Sequence, residues 1–138
     1  MSETSLPHLA RSVALATLML WSEAHGASLP APKDCQVFFE HDSYRITLEA
    51  QKVIAGLGER FAGVSRDLSV VGFADRTGRP AYNVRLSERR ARAVARDLRK
   101  ILPVAGSSLH ITWRGEKFLP YPGRDGVPEP LNRCVAVF

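Results

Sequence analysis

Asp75, in "GFADRTGRP", and Arg90, in "LSERRA", are the side chains whose types and spacing most readily suggest chemistry. A carboxylate and a guanidinium held side by side grip a zwitterion. The carboxylate takes an ammonium, and the guanidinium fork takes a carboxylate bidentately. Arg90 stands out by its place on a helical wheel. At about 100° per residue from Leu86, the residues Val94, Leu98 and Ile101 fall between about 60° and 120°, a buried stripe. Arg89, Arg92, Arg96, Arg99 and Lys100 fall between about 220° and 320° and form a solvated basic face. Arg90 falls near about 40°, beside the stripe and apart from the other cations. A charge on the buried side is costly unless paired. With Ser87 as N-cap, Arg90 would also sit in the first turn, where the helix dipole disfavours cations. Asp75, in the loop that feeds the helix, is the nearest compensating charge by topology. A buried salt bridge that orders the loop and an open two-charge pocket both satisfy these observations.

The elements that must position this pair are legible in outline. The chain has 138 residues, 45% apolar and 24% charged, with a net charge of +5. That is one globular domain, neither disordered nor membrane-spanning. "QVFFEH" reads as a strand, and Thr47 caps a helix over "LEAQKVIAGLGERFAGV". Leu48, Val53, Leu57 and Phe61, with Ile54 alongside, give that helix its apolar face. "LSVVGF" is a continuous apolar run, as expected of a central strand covered on both faces. A second helix is predicted from Ser87 to Leu102, ended by Pro103. "LHITWR" and "NRCVAVF" read as strands flanking an ordered loop, "GEKFLPYPGRDGVPEP". The order βαβαββ predicts an α+β two-layer sandwich, a mixed four-stranded sheet with helices on one face.

Residues 1–26 read as a signal peptide, with the apolar run "SVALATLMLW" after Arg11 and small residues before a cut near Ala27. Residues 27–34 form a proline-containing linker, and the domain is expected over 35–138. Cys35 follows the linker and Cys134 stands near the C-terminus. In an oxidising periplasm they can pair; two free buried thiols fit the sequence as well.

The stretch "GFADRTGRPAYNVRLSERRA" resembles the OmpA-like C-terminal domain family, whose signature runs approximately G-H-T-D, x-x-G, then N-x-x-L-S-x-x-R-A. Gly72, Asp75, Gly78, Asn83, Leu86, Ser87, Arg90 and Ala91 stand where that signature asks. "VFFEHDS", "RGEKFLPYP" and "NRCVAVF" resemble the family's first strand, its G-x-G-E-x-x-P loop and its closing N-R-R-V strand, so the likeness runs from Cys35 to Phe138. Phe73 and Ala74 replace a common His-Thr pair, Trp113 the first glycine of the loop motif, and Cys134 the second arginine of the closing motif. The resemblance implies non-covalent binding of peptidoglycan in the periplasm, with association to the outer membrane left open. Asp75 would hold the ammonium and Arg90 the carboxylate of diaminopimelate in the stem peptide, with Asn83 and Leu86 lining the same pocket. It also implies that the last strand pairs beside the first, which would bring Cys35 and Cys134 into one region.

Nothing in the sequence suggests catalysis. His41 and His110 lie outside any metal-ligand spacing, no G-x-S-x-G or phosphate loop occurs, and no cofactor is expected. Two other binding readings compete. One is a protein-interaction module of an envelope assembly, presenting Trp113 and "KFLPYPG" to an outer-membrane or other envelope partner. The other is a nucleic-acid binder using the basic helix face. No aromatic platform is interleaved with those arginines, so no nucleic acid is expected as partner. Phosphate binding through several cations would weaken steeply with salt, a two-charge clamp only mildly.

Overall fold

The structure, a computed structural model, describes residues 35–63, 67–102 and 108–138. The signal-like segment and linker expected over residues 1–34 lie outside them. Strand β1 spans Cys35–Phe38, helix α1 Leu48–Phe61, strand β2 Asp67–Gly72, helix α2 Pro80–Ile101, strand β3 Ser108–Trp113 and strand β4 Cys134–Val137. A single 3₁₀ turn, Pro130–Asn132, precedes β4. The sheet order is β1-β4-β2-β3, with β4 antiparallel to both neighbours and β2 parallel to β3. This is the mixed four-stranded α+β sandwich that the element order predicts. Among the described residues, no helix is long and apolar enough to cross a membrane.

One face of the sheet carries the main core. Val37, Leu68, Val70, Val135 and Val137 pack there against Ile54, Leu57 and Phe61 of α1 and Val94 and Leu98 of α2. Each such side chain, taken fully out of water, contributes about 1.5–3 kcal/mol. The opposite face holds a smaller cluster of Cys35, Val71, Phe73, Cys134 and Ala136, covered by Leu119 of the long loop. β2 is thus covered on both faces, by helices on one and by that loop on the other. Cys35 and Cys134 are joined by a disulfide, with Cα atoms 5.9 Å apart and a sequence separation of 99. At the irregular β1–β4 register, the Gln36 amide replaces a backbone pair. Its Oε1 accepts from Val137 N at 2.9 Å, and its Nε2 donates to Val137 O at 3.2 Å.

Helix α1 begins as expected, with Thr47 Oγ1 accepting from Ala50 N at 3.1 Å. Its buried stripe is narrower than the sequence suggests: Ala50, Ile54, Leu57, Gly58 and Phe61 face inward. Leu48 and Val53 are 74% and 37% exposed. Leu48 falls about 120° around the wheel from Ile54, and the small Ala50 takes the inward position in that first turn.

Helix α2 departs more from expectation. It starts at Pro80, seven residues before Ser87, with Arg79 as an N-cap that makes no side-chain bond. Proline at the first helical position lacks only an N–H that would be unpaired anyway, so it starts the helix instead of merely punctuating the loop. Ser87 is therefore interior and buried. Its Oγ donates to Val84 O at 2.8 Å and accepts from Gly115 N at 2.9 Å, tying the helix to the chain after β3. Ile101, expected in the buried stripe, is 44% exposed and lies over Gly58. At its other end α2 lies directly on β2. A Cβ on Gly72 would stand 2.1 Å from Ser87 O and 3.0 Å from Ala91 Cβ, so only glycine lets strand and helix approach this closely. That close approach turns the Phe73–Arg79 connection back against the start of α2 and fixes where Asp75 can lie.

Candidate functional site

The connection after β2 is held by backbone bonds before its carboxylate comes into play: Ala74 N donates to Gly115 O at 2.8 Å, and Phe73 N to Cys134 O at 2.9 Å. Asp75, 3% exposed, receives four donors. Thr77 N, at 3.3 Å, and the Thr77 hydroxyl meet Oδ1. Glu129 N at 3.2 Å and Arg133 Nη1 at 3.3 Å meet Oδ2. Burial alone would raise the Asp75 carboxyl, but the bonds from Thr77, Glu129 and Arg133 outweigh it and hold it below its ordinary 3.8. The loop between β3 and β4 is ordered by this carboxylate, by an Arg76–Asp125 ion pair at 2.6 Å, and by Asn132, whose amide bonds both Tyr121 N and Tyr121 O at 2.9 Å.

Asp75, Asn83 and Leu86 line one cavity of about 330 Å³ at the start of α2, together with Asp42, Thr77 and Tyr82. Asn83 is 1% exposed; its Nδ2 donates to Glu116 Oε2 at 2.7 Å, while its Oδ1 has no partner among the described residues. The Tyr82 hydroxyl donates to the Asp42 carboxylate, and that bond raises the Tyr82 phenol above its ordinary value. His41 also lines this cavity, while His110 lies elsewhere, near Asp67 on the sheet. Among the described residues, no group of His, Cys, Asp or Glu is placed to hold a metal ion.

Arg90 corrects the expected picture of two charges standing open side by side. It is fully buried. Its Nε donates to Ser43 O at 2.8 Å, Nη1 to Phe73 O at 3.1 Å and Nη2 to Glu40 O at 3.1 Å, and the guanidinium lies 5.3 Å from the centroid of the Phe39 ring. It forms no direct ion pair with Asp75, whose partner is Arg133. The reason lies in the helix start: with α2 beginning at Pro80, Arg90 is an interior residue packed beneath the chain between β1 and α1. Burial pushes its pKa down to about 10 against the opposing pull of the Asp75 charge. The Arg133 charge adds to the lowering, while the Asp42 carboxylate, which lines the cavity, acts in the same sense as Asp75.

Sequence reasoning thus brought together Asp75, Asn83 and Leu86, and missed three partners. Tyr82 stands one turn before Leu86, visible once Pro80 is taken as the first helical residue. Asp42 lies in the turn after β1. Arg133, half-hidden in "NRC", also donates from Nε to Phe39 O at 3.2 Å and so joins β1, β4 and the Asp75 loop.

A pH dependence follows from the lowered Asp75. A carboxyl depressed by folding contributes stability that is complete above its unfolded value and is lost as pH falls through the folded one. Wild type should therefore lose stability, relative to Asp75→Asn, from about pH 4 downward. Urea midpoints measured between pH 7 and pH 2 check this. Parallel curves for the two proteins would contradict it.

Fold and cavity together define a small α+β domain whose acidic pocket opens where α2 meets the turns after β1 and β2. Solved structures share this fold. The peptidoglycan-associated lipoprotein from Burkholderia pseudomallei superposes with a TM-score of 0.61 at 23% identity, covering 80% of this chain and 95% of that one. The OmpA-like domain of FopA1 from Francisella tularensis gives 0.60 at 23% identity over 73% and 67% of the two chains. The C-terminal domain of Helicobacter pylori MotB gives 0.61 at 19% identity over 75% and 81%. Residues 38–132 match the OmpA family, and the chain belongs to that family. Among curated proteins it is 37% identical over 83 residues to Outer membrane protein 40, and 31% identical over 85 residues to Outer membrane protein 41, both of Porphyromonas gingivalis. Those regions are 59% and 62% of this chain but 22% of each relative, so the chain spans about a fifth of their length.

Proposed function

We propose that this domain binds peptidoglycan non-covalently and unaltered in the periplasm, through the diaminopimelate of a stem peptide seated in the cavity of Asp75, Asn83 and Leu86. The observation that carries the reading is an ionised, rigidly held carboxylate and an amide oxygen without a partner among the described residues, lining one cavity. Four donors already meet Asp75, so it attracts an ammonium as a fixed charge, while Asn83 Oδ1 offers the free lone pair. Leu86 supplies an apolar wall for the methylene chain. Arg90 draws the ligand carboxylate through its field from beneath the floor; a direct fork would require the Glu40–Ser43 connection to move aside. Membership of the OmpA family supports the reading, as does the fold shared with a peptidoglycan-associated lipoprotein.

Sedimentation with purified sacculi tests it. Wild type should co-sediment, and Asp75→Asn, shown to be folded by circular dichroism, should bind at least about tenfold more weakly, as for loss of a charge-assisted contact. A folded Asp75→Asn protein that sediments like wild type would overturn the site. Absence of sedimentation by wild type would favour an envelope interaction module instead.

A further inference from the structure

A second charged surface lies apart from that cavity. A shallow groove of about 790 Å³ over α2 and the chain before α1 is lined by Arg45, Arg89, Arg92, Arg96, Arg99 and Lys100, with Asp97 as its single carboxylate. This excess of cations equals the +5 of the entire sequence, so the rest of the chain is neutral overall and the charge is concentrated on one face. Glu88 pairs with Arg92, and Asp97 with Arg96 and Lys100. Among the described residues, no carboxylate lies within ion-pairing distance of Arg45, Arg89 or Arg99. Two of the guanidiniums are braced on rings, Arg89 at 5.4 Å from the Tyr44 centroid and Arg92 at 5.4 Å from that of Trp113. Arg89, stacked in this way and without a carboxylate partner among the described residues, keeps its N–H edge free for an oxyanion and loses less freedom on binding one. From Arg89 to Arg99 the row extends about 15 Å along the helix.

We infer that this face docks on an anionic phospholipid surface. The choice of a membrane over other polyanions rests on apolar side chains around the cations. Tyr44, Ile46 and Ile111 line the groove among the cations, Tyr44 being 46% exposed, and Leu48, three residues after Arg45, is 74% exposed. A nucleic-acid backbone gives Leu48 nothing to bury against. The boundary between headgroups and acyl chains takes up such residues while its phosphates meet the arginines. None of the groove residues lines the cavity of Asp75, so a lipid surface and a second ligand can be held at once.

The test is co-sedimentation of the full chain with vesicles of phosphatidylglycerol and phosphatidylcholine, and with vesicles of phosphatidylcholine alone. Wild type should bind the anionic vesicles and release as salt rises. Arg89→Ser/Arg96→Ser/Arg99→Ser should bind them on the order of a hundredfold more weakly. Asp75→Asn should bind them as wild type does, which separates this face from the cavity. Residues 1–34 are the same in all three proteins, so the difference reports on the groove. Equal binding to both vesicle types, an unaffected triple variant, or tighter binding to a duplex oligonucleotide than to anionic vesicles would each overturn the inference.

Discussion

Arg90→Met is expected to be among the most destabilising single substitutions in this domain, by about 3–5 kcal/mol, the cost of leaving three carbonyls without their charged donor. Methionine fills similar volume but donates nothing. The Glu40, Ser43 and Phe73 carbonyls lose their donor together, in a place that Phe39 and α2 close to water. Domains of this size have about 5–15 kcal/mol in total, so the variant should be partly or wholly unfolded at 37 °C. Arg90→Lys keeps the charge on a compact ammonium that cannot span three carbonyls set around a planar fork, and it should fall between the two. Urea unfolding followed by circular dichroism ranks the three proteins. A shift below about 1 kcal/mol for Arg90→Met would mean that those carbonyls find other donors. The two variants also separate charge from architecture: Arg90→Lys, if folded, reports on sacculus binding with the field retained and the geometry altered.

Loss of the disulfide should cost nearly as much. It closes a loop with a sequence separation of 99, for which chain-entropy reasoning gives about 4–5 kcal/mol through restriction of the unfolded chain. Cys134 is fully buried and Cys35 is 7% exposed, so a thiol-reactive probe added with a small reductant should label neither under native conditions and both in denaturant. Cys35→Ala/Cys134→Ala is the better comparison than serine, because it adds no hydroxyl to the buried cluster of Val71, Phe73 and Ala136. Its urea midpoint should drop while its pocket, anchored through Arg133 and Glu129, keeps its ligand when folded. Rapid native labelling, or a variant as stable as wild type, would contradict this account.

What the sequence disclosed follows the kind of signal each element gives. Strands β2 and β4 were plain because apolar runs bounded by turn residues have few other readings, and α1 because Thr47 is an unambiguous cap. The start of α2 was obscured by the double meaning of proline: after "TGR", Pro80 looks like loop punctuation, and Ser87 offers a more familiar cap. That error moved Arg90 into a first turn. The wheel still identified it as a charge on the wrong side of the helix. What the wheel could not supply was its partners, since backbone carbonyls carry no sequence signature. Asp75 emerged from the charge argument, and Asn83 and Leu86 from the resemblance to the OmpA-like signature, whose residues here lie within one turn and one helix. Arg133 and Asp42 reach the same place from the two ends of the fold, through the pairing of β1 with β4, and no pattern of spacing announces a meeting of that kind. Exposed Leu48 and Ile101 were misassigned to the core because periodicity counts apolar residues without knowing how far the sheet beneath them extends.

The Cys35–Cys134 link also settles how the domain would bear tension. A load arriving along the chain ahead of Cys35 does not peel the four-residue β1 from its neighbour bond by bond. It crosses the covalent bridge at once into β4, which is flanked by strands on both sides. Mechanical resistance then depends on shearing an inner strand out of the sheet, not on unzipping its margin.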